Sequence, residues 1–563
     1  MSTPIDGGSG RAVAHAAAGA RDAWARAGSA ARAQAGAAGR AVYRHRRSLA
    51  VLLPVLAAIA ALQAVNVAGF PQRTAEEGGY VAHAYALLHF GGMAHPAQWY
   101  DQPPLGRLQF AAYAALTGGF DHPAGMVIAG RGFMVLAHLA SCVLLWILAR
   151  RTEMARWAAA GALLLFTASP LAVEYHRLAA PDNIATPWVL AAFVLACTPR
   201  PRLAPFLASG AAFTVAVLSK ESALLLLPVL VWLIWRNEHP GDRGHTLALV
   251  GSMLVYAWLA YAVFALVRGE LFPAPGQASL WDGAVNGLLG RGSGSVPSPG
   301  NTAAGAIGAW LRLDPMLPLL GAAGAATGVF SRRFRPYAAG LLVLMLAALL
   351  IGELPAAYVL AMLPLVALTA AGAAEIALRR SRRVQPAWRP SANRSTLFGF
   401  TAVRLLPLRT VRRYPLVPVL VAAALLLAVL AAPTWAASLR GSLSADADRP
   451  MRAAADWIRR NAAPTDRVAV DPAMGMDLRD HLGAARVNVI AFASFGGRTE
   501  VIAQVPDRWH RHDLIVETSA VRRAAARLPQ VGDALRGAHP IARFGTGDDR
   551  VVVREAPPVA DER

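Results

Sequence analysis

The sequence predicts a polytopic α-helical membrane protein with about eleven transmembrane helices and a small extracytoplasmic α/β domain at its C-terminal end. Three observations carry that expectation. Of 563 residues, 55% are hydrophobic and 16% charged, with a mean hydropathy of +0.40, whereas a soluble chain of this length would need far more charge to cover its domains. Solid apolar blocks of about 17 to 25 residues recur between Val51 and Ala432, each long enough to cross about 30 Å of hydrocarbon, and they lack the alternation of a closed barrel. From Asp446 onward the composition changes at once, to 18 Arg against 17 acidic residues with short β-like runs.

The organisation follows in chain order. Residues 1–47 are rich in Ala and Arg, have no apolar core before a cleavage site, and read as a disordered basic cytoplasmic tail. Residues 48–433 form the transmembrane domain, with long outer loops at 69–123 and 268–314. The first span runs from about Leu49 to Ala68. Basic residues then mark the cytoplasmic turns: Arg150, Arg151 and Arg156, then Arg200 and Arg202, then Arg236 and Arg243, then Arg332, Arg333 and Arg335. Leu203 to Trp235 could be one very long helix or a tight hairpin, and basic loops at both ends favour a hairpin turning at Ser219-Lys220-Glu221. The segment Arg379 to Arg413 holds ten Arg and no acid, which places it inside. A last span from about Tyr414 to Ala432 puts residues 434–563 outside. There a helix is expected over Met451 to Arg460, with strands near Arg467 to Val470, Leu514 to Glu517 and Arg550 to Arg554.

Charge and cysteine content exclude several functions. The net charge of +21 invites a nucleic-acid partner, but the excess sits in the tail and in the short loops, as cytoplasmic loops require. Cys142 and Cys197 both fall in spans and offer no disulfide framework or thiolate cluster. Lys220 is the single lysine beside 54 arginines, a bias that fits a high-GC bacterium; for a polytopic helical protein of such origin the expected location is the plasma membrane.

The acidic residues suggest the chemistry. Eleven of those before Asp446 fall on the predicted outer side, several where a span emerges, and ionised groups so close to the bilayer tend to be functional. Glu76 and Glu77 open a helix capped by Thr74, with Glu76, Tyr80 and His83 on one face. They read either as acids favoured by the helix dipole or as a carboxylate base whose proton affinity a second carboxylate adjusts. Asp101 precedes two prolines and reads as a helix cap, beside Trp99 and Tyr100, which suit an interface or a sugar face. Asp182 either caps the span that follows it or faces a substrate. His176 and Arg177 either reach the headgroups or bind a phosphate, for which guanidinium offers two parallel donors. Lys220, in an outer turn, is either a chance survivor of the Lys-to-Arg bias or a point charge that binds phosphate. His83, His89, His95, His122 and His176 match no metal-ligand spacing, so no metal site is assigned, and the need for a cofactor stays unknown. No dinucleotide fingerprint or Walker A sequence is present.

Taken in order, AEEGGYVAHAYALLHFGGMAHPAQWYDQPPLG, EYHRLAAPDNIATPW, LSKESALLLLP and AAYVLAMLPLVAL resemble the bacterial polyprenyl-phosphate-dependent glycosyltransferases of the GT-C superfamily. The nearer likeness is to the family 39 type, which holds protein O-mannosyltransferases and the lipid A aminoarabinose transferase. The resemblance covers about Val51 to Ala371. It implies an inverting transfer of a sugar from a polyprenyl-phosphate carrier to an acceptor hydroxyl of an envelope glycan, lipid or protein outside the membrane. By the match Glu76 takes the place of the catalytic base, where the family usually has Asp. Glu77 takes the supporting place and Tyr80 that of the tyrosine following the acidic pair, while Asp182 and Lys220 match a recurrent Asp and Lys. A transporter or flippase of a lipid-linked saccharide, or a non-catalytic envelope assembly protein, are the competing readings; the first would place its charges at mid-membrane and show two related halves.

Overall fold

The computed structural model describes residues 43, 45–90, 100, 102–121, 125–199, 202–273, 279–281, 283–284, 308, 310–351, 356–383, 432–463, 465–482, 487–495, 498–503, 513–525 and 529–557. The expected last span up to residue 431, and the Arg-rich segment from residue 384 onward, lie outside the described residues, while Arg379, Arg380, Arg382 and Arg383 end a helix. Residues 1–57 make up one compact unit and 58–563 another.

Among the described residues, four helices are long and apolar enough to cross a membrane: α1 (His45–Ala64), α4 (Met126–Arg151), α10 (Arg243–Val267), and Val359–Arg379 within α13 (Ala356–Arg383). A fifth candidate is the pair α5 (Arg156–Ala168) and α6 (Pro170–Arg177), bent by 66°. The bend has a local cause. Ser169 is extended, Pro170 follows it, and the Ser169 hydroxyl accepts from the Ala172 amide to cap the new helix. Shorter apolar helices fill out the bundle: α7 (Pro181–Ala196), α8 (Leu203–Ser219), α9 (Leu227–Asn237), α11 (Met316–Val329) and α12 (Arg335–Ile351). The stretch 203–235 is broken at the residue where the sequence places its turn. α8 stops at Ser219, Lys220 is extended, and a 3₁₀ turn over Glu221–Leu226 leads into α9.

Two helices lie between α1 and the long span α4. α2 (Ala75–Phe90) starts where the Thr74 hydroxyl accepts from the Glu77 amide at 3.1 Å, the cap anticipated from the sequence. α3 (Leu105–Thr117) ends on Gly118 in the left-handed conformation. Tyr80, Val81, Phe110, Ala114, Phe120, Met126 and Met134 bury a shared core between α2, α3 and α4.

The C-terminal part builds a six-stranded sheet in the order β3-β2-β1-β4-β6-β5. Its elements are α14 (Arg449–Asn461), β1 (Val468–Val470), α15 (Pro472–Leu482), β2 (Val487–Phe495), β3 (Arg498–Ala503), β4 (Leu514–Glu517), α16 (Ser519–Ala525), α17 (Pro529–Gly537), β5 (His539–Phe544) and β6 (Val551–Glu555). β1 runs parallel to β2 and β4, and the remaining pairs are antiparallel. Period-2 alternation gives the sheet two apolar faces. Val468, Val470, Leu514, Val516, Val551 and Val553 pack with Met451, Ala454 and Ile458 of α14, and Ala469 and Ile515 pack on the other side with Val521, Val531 and Leu535.

Candidate active site

The site is built where α2, α3, α7 and the Lys220 turn converge. The first turn of α2 presents its two acids differently. Glu76 is exposed and Glu77 buried. Every side-chain oxygen of Glu77 is in use: Arg131 Nε donates to Oε1 at 2.9 Å, Arg131 Nη2 to Oε2 at 2.8 Å, and the Ala179 amide to Oε1 at 2.9 Å. A carboxylate held this way is an anchor, while Glu76, one residue earlier, keeps an accessible carboxylate.

Asp182 stands in the first turn of α7, and Glu76, Lys220 and Glu221 all lie within electrostatic reach of it. Lys220 Nζ meets Glu221 Oε1 at 3.0 Å, with the ammonium buried and the carboxylate half-buried. The Tyr80 hydroxyl is fully buried, within reach of both Arg107 and Asp182, and finds no hydrogen-bond partner among the described residues. Burial holds its phenol far above the ordinary tyrosine range, against the opposing pull of Arg107, so it persists as a neutral donor. Gly106 of α3 makes room for that hydroxyl, since a Cβ there would lie 2.8 Å from it. Gln109 ties the walls together by donating to the Ser219 hydroxyl at 3.0 Å and accepting from Trp188 Nε1 at 2.8 Å.

A cleft opens from Asp182 and Lys220 and runs between α7, the 3₁₀ turn and α13. Beyond its charged mouth the walls are apolar, with Val189, Leu190, Phe193, Leu226 and Leu365 among them. A second groove of ≈ 190 Å³ lies between α11, α12 and α13 and is lined almost wholly by hydrocarbon, with Trp310 at one side. Such surfaces suit an amphiphile that carries a charged head and a long apolar tail.

The other sequence-derived candidates lie elsewhere. Arg177 is fully buried, and its guanidinium is used within the protein, donating to the carbonyls of Leu62 at 2.7 Å and Phe70 at 3.4 Å and to Gln63 Oε1 at 3.4 Å. His176 is buried, with Nδ1 3.0 Å from Asn183 Oδ1 and its ring 4.0 Å from that of His138. Tyr100 donates to Glu270 Oε2 at 2.6 Å and packs near Tyr261. Asp101, His95 and His122 lie outside the described residues. His83 is buried and His89 stacks on Tyr85. Among the described residues, no group of three or more His, Cys, Asp or Glu side chains is placed to hold a metal. Arg107 and Arg131 were not singled out by the sequence reading, whereas Glu221 was, as part of the Lys220 turn. Arg107 alone had a usable signal, as a cation placed shortly after the acidic Pro-Pro turn.

Residues 101–267 match the family model described as dolichyl-phosphate-mannose-protein mannosyltransferase. The match takes in Arg107, Asp182 and Lys220 and begins after Glu76. The structure is similar to ArnT from Cupriavidus metallidurans bound to undecaprenyl phosphate, with a TM-score of 0.52 and 18% identity over 92% of this chain and 100% of that one. It is also similar to the archaeal oligosaccharyltransferase AglB from Archaeoglobus fulgidus (TM-score 0.48, 13% identity, 89% of this chain and 74% of that one). The Pmt1-Pmt2 protein O-mannosyltransferase complex of S. cerevisiae aligns over 38% of this chain and 33% of that one, with a TM-score of 0.30 and 18% identity. No curated protein sequence is significantly similar to the chain. The fold is that of a multi-pass helical membrane protein, similar along most of its length to that of ArnT. With the family match over 101–267, the resemblance implied by the four sequence motifs is borne out.

Proposed function

We propose that the protein is an inverting glycosyltransferase. It moves a sugar from a polyprenyl-phosphate carrier to an acceptor hydroxyl on the outer side of a bacterial plasma membrane. The observation that carries this reading is the form of the Asp182–Lys220 cleft, charged at its mouth and apolar along its walls, with the exposed Glu76 carboxylate in reach of that mouth.

In the transfer, Glu76 accepts the proton of the acceptor hydroxyl as its oxygen attacks the anomeric carbon. The bond from that carbon to the phosphate oxygen breaks on the opposite face, which inverts the configuration. The carrier leaves as a polyprenyl phosphate with one more negative charge, and that charge is where cations help most. Lys220 and Arg107 supply them, and the neutral Tyr80 phenol adds a hydrogen bond. Glu77 positions Glu76. Asp182 is assigned to the substrate at the mouth of the cleft. Arg177 and His176, named as phosphate ligands from the sequence, are assigned here to structure, because both are buried, Arg177 donates to the Leu62 carbonyl and His176 Nδ1 meets Asn183. Tyr100 and Asp101 remain assigned to the acceptor or the sugar.

The test is a gene deletion complemented by wild type or by Glu76→Gln, with the two proteins matched in membrane abundance and the envelope glycans compared by linkage analysis. Loss of one glycosidic linkage, restored by wild type alone, is expected and would identify the sugar. Full restoration by Glu76→Gln would sink the assignment of the base and favour a carrier-moving or assembly role.

A further inference from the structure

The C-terminal domain reaches the first turn of α2 through buried charge. Asp448, fully buried, accepts the Arg73 amide on Oδ1 at 2.7 Å, and its Oδ2 lies 3.2 Å from Arg73 Nε and 3.6 Å from Arg131 Nη1. Arg131 is the residue that grips Glu77 with two hydrogen bonds. Asp477 of α15 pairs with Arg73 from the other side. Nonpolar packing reinforces the charges, because Met476 of α15 enters the core of Tyr80, Val81 and Phe110. The carbonyl of Pro472 sits where Gly78 has no side chain.

These contacts bracket one short piece of chain. Arg73 precedes the cap of α2, Glu77 closes its first turn, and Glu76 lies between them. Two residues more than 370 positions away in sequence thus set where the Glu76 backbone stands. Charges this deeply buried have few alternative arrangements, since each rotation would leave a group unpaired in a dry interior.

We propose that Asp448, acting through Arg131 and Glu77 and backed by Asp477 through Arg73, is a positioning residue for the Glu76 carboxylate, so that the docked C-terminal domain completes the active site. The inference rests on the reading of Glu76 as base. It makes the C-terminal domain part of the catalytic apparatus without touching substrate. A carboxylate displaced by about 1 Å can lose up to about 10²-fold in rate, while binding of a ligand held elsewhere is untouched.

The experiment uses full-length protein in the deletion strain and in nanodiscs. Asp448→Asn is expected to slow restoration of the deletion-sensitive linkage by about tenfold to 10²-fold. Its affinity for undecaprenyl phosphate in lipid nanodiscs should stay within about twofold of wild type, because no contact of Asp448 reaches the Lys220 mouth. Amides 75–79 should exchange faster, with those of β1, β4 and β6 unchanged. Asp477→Asn, whose side chain is less buried, provides the same readings if Asp448→Asn fails to accumulate. A wild-type rate in both variants, or unchanged exchange at 75–79, would overturn the proposal, as would a loss of rate matched by an equal loss of affinity or by loosening of the whole sheet. A wild-type rate for Glu76→Gln would instead remove the underlying function, which keeps the two failures apart.

Discussion

Arg131 and Glu77 face each other in a bidentate pair, with bonds of 2.9 and 2.8 Å between side chains that are 0% and 1% exposed. Removing one partner leaves a charge buried without its counter-ion, which costs about 3–5 kcal/mol. Arg131→Met and Glu77→Leu should therefore each lower the thermal midpoint of the purified protein sharply. Arg131→Lys should recover only part of the loss, since an ammonium cannot form the two parallel bonds. The double variant Arg131→Met/Glu77→Leu is expected to be more stable than either single one, yet inactive. Melting at the wild-type midpoint in all four variants would show that the pair holds nothing.

Tyr80 allows a prediction about pH. Burial raises its phenol above the ordinary range, Arg107 pulls it down and Asp182 pushes it up, and the net direction is upward. A group raised in this way stays protonated between about pH 5 and pH 9, so on the proposed function it contributes neither limb of a pH–rate profile. Tyr80→Phe should lower the rate by roughly the value of one hydrogen bond to a charged group, about 1.5–3 kcal/mol in the barrier. The midpoints of both limbs between about pH 5 and pH 9 should not move. A profile that lost its alkaline limb in Tyr80→Phe would contradict the neutral-donor role.

Much of this site was legible in the sequence, and the reason is local. Thr74 caps α2 three residues before Glu77, which is helix-terminus chemistry that neighbours in sequence suffice to encode. The break at Lys220 was visible because a 33-residue apolar stretch flanked by basic loops folds back more readily than it spans. The strands at 468–470, 514–517 and 551–555 coincide with the β-like runs by simple alternation. What stayed hidden was pairing at long range. Glu77 and Arg131 are 54 residues apart, and Arg73 and Asp448 are 375 apart, so no spacing rule connects them. The partners of Arg177 were hidden for the same reason. Nothing in its sequence neighbourhood points to the carbonyls of Leu62 and Phe70 that accept from its guanidinium.

Lys220 separates two explanations of a lone lysine. Its ammonium is buried against Glu221 beside Asp182, in a mouth lined closely by Ser222 and Ala223. If it holds a phosphate as a compact point charge, Lys220→Ala should weaken binding of undecaprenyl phosphate in nanodiscs by at least about tenfold, and the wider, planar guanidinium of Lys220→Arg should not fully replace it. Full activity of Lys220→Arg would mean that only charge matters there. Unchanged binding in Lys220→Ala would move the phosphate elsewhere, with Arg107 the next position to test.

Gly78 offers a steric test of domain docking that alters no charge. A methyl group there would collide with the Pro472 carbonyl, and backbone cannot turn aside as a side chain can. Gly78→Ala must therefore push α15 away from α2, an overpacking cost of about 1–3 kcal/mol. Because α15 carries Asp477 and Met476, the shift would also loosen the grip on Arg73 and open the Tyr80 core. The expected result is faster proteolysis between residues 432 and 448 and a reduced rate of linkage restoration, with the sheet itself still folded. Gly161→Ala is the control, since nothing lies within 4 Å of a Cβ there and helix propensity alone makes it neutral or stabilising. If Gly78→Ala keeps both the proteolysis pattern and the rate of wild type, the two domains are not held together at this point, and the contacts of Asp448 would have to carry the docking alone.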